Sequence, residues 1–261
     1  MHSRLIAAVA FILCLCATSC APALAWDIKA MNTHIDQSNF VVNTGCSGTL
    51  IDLAKGYVLT ANHCVADQYE TVDKENVDDR GVISHEKIRR LKDGTVSQLD
   101  FKDGDIVRTV IYKVKVVAVD ATRDLALLQV KATLPPLEAA VFACTSPARG
   151  EVAYVIGNPM GTLYSSVVKG IVSSLDRNYD ILKVGDAEQA KQPLMQISSG
   201  VIGGNSGGSV YNDNGEMIGV PVMAHRTNEI IGFAVPLDQI KAFLADKGMS
   251  DIAAVKHCAA K

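Results

Sequence analysis

Strand-length apolar runs, each closed by turn residues, limit the folds open to this chain more than any other feature. Gly56–Thr60, Val107–Val119, Glu151–Ile156, Val167–Ser173 and Met217–Val222 are rich in β-branched residues. They recur at the spacing of an all-β barrel or sandwich. Asp93-Gly94, Asp103-Gly104 and Asn214-Gly215 fall where antiparallel neighbours need tight turns. Pro135-Pro136, flanked by Leu134 and Leu137, marks a link between two halves, splitting the chain near 134–140. Two segments break the strand pattern. Asp67–Asp105 is charged and reads as an extended loop or hairpin, with one short helix near His85–Leu91. In Pro236–Lys247, Leu237, Ile240 and Leu244 fall at helical spacing, which predicts a C-terminal helix.

The first residues read as an export signal. Arg4 precedes an apolar core from Leu5 to Cys16, and Ala23-Leu24-Ala25 has the small-residue form of a cleavage site. That core falls short of the roughly 20 apolar residues a spanning helix needs, so cleavage before Trp26 is expected and no stable membrane insertion. Lipidation at Cys20 is the minor alternative, because Ala17-Thr18-Ser19-Cys20 lacks the usual leucine. Residues 1–25 are thus set apart from a folded unit of 26–261. That length suits one all-β barrel unit and can bury a sizeable core. A formal net charge of −3, with no basic cluster interleaved with aromatics, argues against nucleic acid as a partner. Cys14, Cys16 and Cys20 leave with the signal. Cys46, Cys64, Cys144 and Cys258 remain for disulfides in an oxidising compartment, with three pairings open. No C-x-x-C occurs, and no metal or cofactor is implied.

Three separated motifs carry chemistry. Thr60-Ala61-Asn62-His63-Cys64 presents a histidine after a strand. Asp124-Leu125-Ala126-Leu127-Leu128 opens a strand with an acid. Gly204-Asn205-Ser206-Gly207-Gly208 presents a serine in a glycine-rich turn. A serine hydroxyl is a weak nucleophile, so it needs a base, and the base needs an orienting carboxylate. His63, Asp124 and Ser206 supply these groups.

These segments, with Cys46-Ser47-Gly48-Thr49-Leu50-Ile51, Gly157-Asn158-Pro159, Gly170-Ile171-Val172-Ser173-Ser174 and Gly232-Phe233-Ala234-Val235-Pro236, resemble the trypsin-like serine peptidases. The look is closest to the bacterial HtrA/DegP-type branch. The similarity runs from about Cys46 to Leu244. It implies two packed six-stranded antiparallel barrels with the site in the crevice between them. His63 and Asp124 would come from the first barrel and Ser206 from the second. It also implies an oxyanion hole from the Gly204 and Ser206 N–H groups, and a Cys46–Cys64 bridge that leaves Cys144 to pair with Cys258. No residues follow Lys261 to form the PDZ domain of many HtrA relatives, so roles resting on that domain are not expected. Many trypsin-like enzymes carry before the serine an aspartate that pairs with a new N-terminus. Asn205 is neutral, so activation by that ion pair is not expected. Gly200, Val201 and Ile202, with Val222, Met223 and Ala224, would line an apolar primary pocket suited to small or medium aliphatic side chains. The expected function is an exported, periplasmic or secreted serine endopeptidase acting on proteins or peptides, with homo-oligomers possible. The alternatives are a catalytically inactive binding protein of the same fold and a self-processing maturation protease.

Overall fold

A computed structural model describes residues 27–43, 45–66, 69–77, 79–91, 94–103, 105–178, 192–225 and 228–253. Residues 1–26, which hold the expected leader with its cysteines and cleavage site, lie outside them, as does Cys258.

The first barrel closes in the order β1 (Asn39–Val42), β2 (Cys46–Asp52), β3 (Tyr57–Ala61), β8 (Leu125–Val130), β7 (Asp105–Asp120), β6 (Gly94–Lys102). The second closes in the order β10 (Ser166–Arg177), β11 (Leu194–Ile197), β14 (Asn228–Pro236), β13 (Met217–His225), β12 (Ser209–Tyr211), β9 (Val152–Gly157). Each neighbouring pair within them is antiparallel. The expected pair of six-stranded barrels is therefore present. The chain passes between them through residues 131–151, which include the Pro135-Pro136 link.

Strands at the seam between the barrels are buried on both faces. In β8, Ala126, Leu128 and Val130 fill the first barrel, while Leu125 and Leu127 belong to the cluster shared with the second. In β3, Val58 faces inward, and Leu59 and Ala61 face the shared cluster. Successive side chains point to opposite faces, so a strand packed on both sides reads as a continuous apolar run. β3 and β8 pair from Tyr57↔Gln129 to Ala61↔Leu125. That register brings the residues after Ala61 and before Leu125 to the same edge of the barrel.

The C-terminal helix α2 (Leu237–Asp246) forms as its spacing predicts, with Leu237, Ile240, Phe243 and Leu244 buried in the shared cluster. Each such side chain contributes about 1.5–3 kcal/mol. A short turn of helix, α3 (Ser250–Ala253), follows. An N-terminal helix, α1 (Ile28–Ser38), precedes β1. Asp27 caps it by accepting a bond from the Ala30 N–H at 3.1 Å.

The helix expected near His85–Leu91 is absent. Those residues lie in β5 (Ile83–Leu91), paired along its length with β4 (Tyr69–Val77). The register sets Glu70 opposite Arg90, Asp73 opposite Lys87, Lys74 opposite Glu86 and Val72 opposite Ile88. That register becomes visible only when both strands are compared. The hairpin expected within Asp67–Asp105 is present as β4 and β5, and β6 in the same stretch is a strand of the first barrel. Among the described residues no helix is long and apolar enough to cross a membrane.

Candidate active site

His63 sits in a single 3₁₀ turn, Asn62–Cys64, that caps β3, and Asp124 ends the turn that enters β8. The β3–β8 ladder therefore delivers both to one place. The His63 backbone N–H donates to Asp124 Oδ1 at 2.8 Å, and His63 Nδ1 meets Asp124 Oδ2 at 2.7 Å. Asn62 N–H donates to the Asp124 carbonyl at 3.1 Å, so backbone and side chain of the acid both hold the histidine turn. Asp124 is 7% exposed. An ionised carboxylate only accepts, so this pairing places the imidazole proton on Nδ1. Nε2 is left with a lone pair. Asp124 adopts φ +53°, a left-handed conformation that costs a non-glycine residue about 1–3 kcal/mol. The turn thus accepts strain while aiming the carboxylate at His63.

The Cys46–Cys64 disulfide expected from the resemblance is formed. It ties the start of β2 to the histidine turn. Sulfur atoms of Cys46 and Cys64 and a ring nitrogen of His63 lie within 4.8 Å of one another. The sulfurs are bonded to each other and offer no thiolate, so the group is no metal site. Cys144 is also disulfide-bonded.

Ser206 lies in the loop between β11 and β12. Its carbonyl accepts from Ser47 N–H at 2.8 Å, and Gly207 N–H donates to Pro221 O at 2.9 Å. The loop is therefore fastened to both barrels. Gly204 has φ +99°, and a Cβ there would stand 2.2 Å from Asn158 O. Only glycine fits that position. Asn205 is buried, with its amide oxygen packed against Gly157. The Ser206 hydroxyl is not hydrogen-bonded to His63 in this structure, although Cys64 Sγ lies 3.6 Å from Ser206 O. Such bonds are often long before substrate binds and tighten in the complex.

A buried polar seam holds this loop, and its members carry no role in the sequence reading. Ser47 Oγ donates to Gly204 O at 2.7 Å and accepts from Asn158 N–H at 2.8 Å and Asn158 Nδ2 at 3.0 Å. Thr60 Oγ1 donates to Ser47 O at 2.7 Å. Asn158 Nδ2 also reaches Phe40 O, and Asn158 Oδ1 accepts from Asn39 Nδ2 and Ser165 N–H. Ser47, Thr60 and Asn158 are fully buried. The only hint in the chain is the presence of Ser47 and Asn158 in motifs shared with the resembled family. A second polar group joins α1 to β12: His34 lies 3.2 Å from both Glu138 Oε2 and the Tyr211 hydroxyl. Burial pushes the Tyr211 phenol up to about 12, against hydrogen bonds from Ser38 and Ser209.

The residues expected to line the primary pocket divide. Val201 is fully buried and packs on Gly232, where a Cβ would lie 2.4 Å from Val201 Cγ2. Gly232 pairs with Ala224 in β13 and Ile197 in β11. Val222 is buried, while Gly200, Ile202, Met223 and Ala224 are half-buried. Gly232 thus joins the six by contact. A separate cavity of about 790 Å³, between α1, β6–β7 and the 133–137 link, contains no part of this cluster.

Two closed antiparallel barrels with His63 and Asp124 at one barrel edge, beside a glycine-bound serine loop of the other, define a trypsin-like peptidase fold. Residues 46–220 match the trypsin-like peptidase domain family, and the chain belongs to it. It is homologous to the HtrA/DegP branch. The periplasmic serine endoprotease DegP of Salmonella typhimurium is 35% identical over 199 residues, covering 75% of this chain and 34% of that protein. The serine endoprotease DegS of Escherichia coli is 27% identical over 231 residues, covering 85% of this chain and 53% of that protein. Among solved structures, the serine endoprotease from Yersinia pestis superposes with TM-score 0.57 at 24% identity, over 86% of this chain and 65% of that one. The HtrA-type protease AlgW with a decapeptide gives 0.57 at 22%, over 78% and 52%. The chain spans about a third to a half of these two curated relatives.

Proposed function

We propose that the chain is an exported serine endopeptidase. Ser206 Oγ attacks the scissile carbonyl carbon while His63 Nε2 takes its proton. The same nitrogen then protonates the leaving amine, and water releases the acyl group from Ser206 by the reverse route. Asp124 keeps the Nδ1–H tautomer and stabilises the imidazolium. Gly204 and Ser206 N–H groups face the developing oxyanion; one such donor is worth about 2.7–4 kcal/mol. The 2.7 Å contact between His63 Nδ1 and the buried Asp124 carboxylate is the observation that carries this reading. With the proton on Nδ1, Nε2 carries the lone pair this mechanism needs, and the neighbouring Cys64 Sγ lies 3.6 Å from Ser206 O, which supports a serine loop close to the histidine turn.

The substrate is a protein or peptide, with a small or medium aliphatic residue before the scissile bond. Val201 against Gly232, with Met223 and Ala224 beside them, supports an apolar wall, and none of these four residues is an acid that could pair with lysine or arginine. Residues 1–25 act as a cleaved export signal, and Cys144 pairs with Cys258. The periplasm is the favoured location, in keeping with the similarity to the periplasmic serine endoproteases DegP of Salmonella typhimurium and Escherichia coli.

The alternative is an inactive binding protein of this fold. Hydrolysis of a denatured protein mixture by residues 26–261 separates the two. The proposal expects cleavage after Val, Ala or Ile that disappears in Ser206→Ala. Cleavage retained in Ser206→Ala contradicts the assigned nucleophile, and strong preference for lysine or arginine contradicts the pocket.

A further inference from the structure

The turn that ends in Asp124 is held by a residue outside the triad. Asp120, at the end of β7, accepts the N–H groups of Thr122 and Arg123 on Oδ1 at 2.9 and 3.0 Å. Its other oxygen accepts from Arg123 Nη1 at 2.6 Å. The same guanidinium reaches across to α2, where Nη1 donates to Asp246 Oδ2 at 2.8 Å and Nε to Gln239 Oε1 at 3.2 Å. The Arg123 and Asp120 side chains are only 20% and 15% exposed, so solvent screens their pairing little. Partial burial works to lower its pKa, but the Asp120 and Asp246 carboxylates that accept from the guanidinium hold it above its already high ordinary value, so it stays charged.

α2 follows β14 of the second barrel, whereas Asp120, Arg123 and Asp124 belong to the first. The Arg123 side chain is therefore a strut between the two. It ends one residue before an aspartate in the left-handed region at φ +53°. A strained residue keeps its conformation only when its surroundings over-determine it. The Asx-type turn on Asp120 and the strut to α2 supply that determination on the N-terminal side. The β3–β8 ladder supplies it on the other.

We propose that Arg123 is a positioning residue: by joining the Asp120 turn to α2, it fixes the direction of the Asp124 carboxylate toward His63. The proposal rests on the triad reading for its kinetic consequence but not for its geometric one. An apolar residue of similar length at 123 leaves the backbone bonds to Asp120 but cuts the tie to α2; the turn is then free to shift, the carboxylate rotates, and the Nδ1 tautomer is no longer enforced. Misplacement of a supporting group by about 1 Å can cost on the order of a hundredfold in rate.

The test uses residues 26–261 carrying Arg123→Met, Arg123→Lys or Asp246→Asn. Each is followed by kcat and KM on a cleaved peptide, by thermal melting and by the downfield proton resonance of His63 Nδ1–H. Arg123→Met is expected to lose or shift that resonance and to lower kcat by about a hundredfold with KM little changed. Arg123→Lys keeps the charge at the turn and restores most of the rate. Asp246→Asn, at an exposed site, weakens only the strut and gives an intermediate loss in folded protein. A lower melting temperature with an unaltered resonance and kcat in all three would overturn the proposal and leave Arg123 a stability residue only. If the wild-type chain cleaves nothing while its resonance still depends on Arg123, the peptidase reading fails and the positioning role stands.

Discussion

Ser47 and Thr49 sit two residues apart on the same side of β2, and their hydroxyls are deeply buried. Deleting them has opposite predicted effects. Ser47→Ala removes the acceptor of Asn158 N–H and the donor to Gly204 O. The Asn158 side-chain amide keeps Phe40 O, but those two backbone groups are left without a partner in a dry seam. Each such group costs about 1–3 kcal/mol, so we expect a loss of about 3 kcal/mol or more. For a chain of this size that lowers Tm by about 6–12 °C. Release of Gly204 O also loosens the loop bearing Ser206, so phosphonylation slows in protein that remains folded. Thr49 Oγ1 is buried without any partner. Thr49→Val replaces it with a methyl group of the same shape and should be neutral or stabilise by up to about 1 kcal/mol. Urea unfolding of both variants beside the wild type checks the pair. Equal losses in the two, or a loss under about 1 kcal/mol for Ser47→Ala, refute the polar-seam reasoning.

Other outcomes follow from the same coordinates. The Cys46–Cys64 bridge has a sequence separation of 18, so replacing both with serine should cost about 3 kcal/mol in denaturant titration, on a loop-entropy basis. A Cβ at Gly208 would lie 2.1 Å from the Ile156 carbonyl of β9, so Gly208→Ala should destabilise by about 2 kcal/mol or more, measured by melting. Tyr211 has a raised phenol pKa in the folded state, so its contribution is complete below pH 10 and is lost as pH rises from 10.0 to about 12. Unfolding free energy should then fall by up to about 1.4 kcal/mol per pH unit across that window, and Tyr211→Phe should flatten the slope.

Much of this was legible in the chain because of burial on two faces. β3 and β8 read as unbroken apolar runs since they serve two cores at once, and their ends carry His63 and Asp124. α2 was legible from Leu237, Ile240 and Leu244. α1 was not. Its buried side comprises Met31, His34, Ile35 and Ser38, two of them polar, so its periodicity is faint. Asp27 as a cap, with Met31 and Ile35 four apart, was the signal available. β5 escaped because its stability comes from a partner strand rather than from its own pattern. The seam of Ser47 and Asn158 escaped for a related reason: its partners stand 111 residues apart, and polar side chains announce no direction in a sequence. Arg123 and Gly232 were visible as letters, yet their roles depend on α2 and Val201 arriving beside them.

The central claim is that His63, held by Asp124, turns Ser206 into a nucleophile. Exposure of residues 26–261 to a fluorophosphonate at neutral pH, followed by mass mapping of the adduct, tests it most directly. The account predicts one adduct per chain, on the peptide containing Ser206, at a rate that collapses in His63→Ala. An unlabelled Ser206 in folded protein, or labelling equally fast without His63, contradicts it.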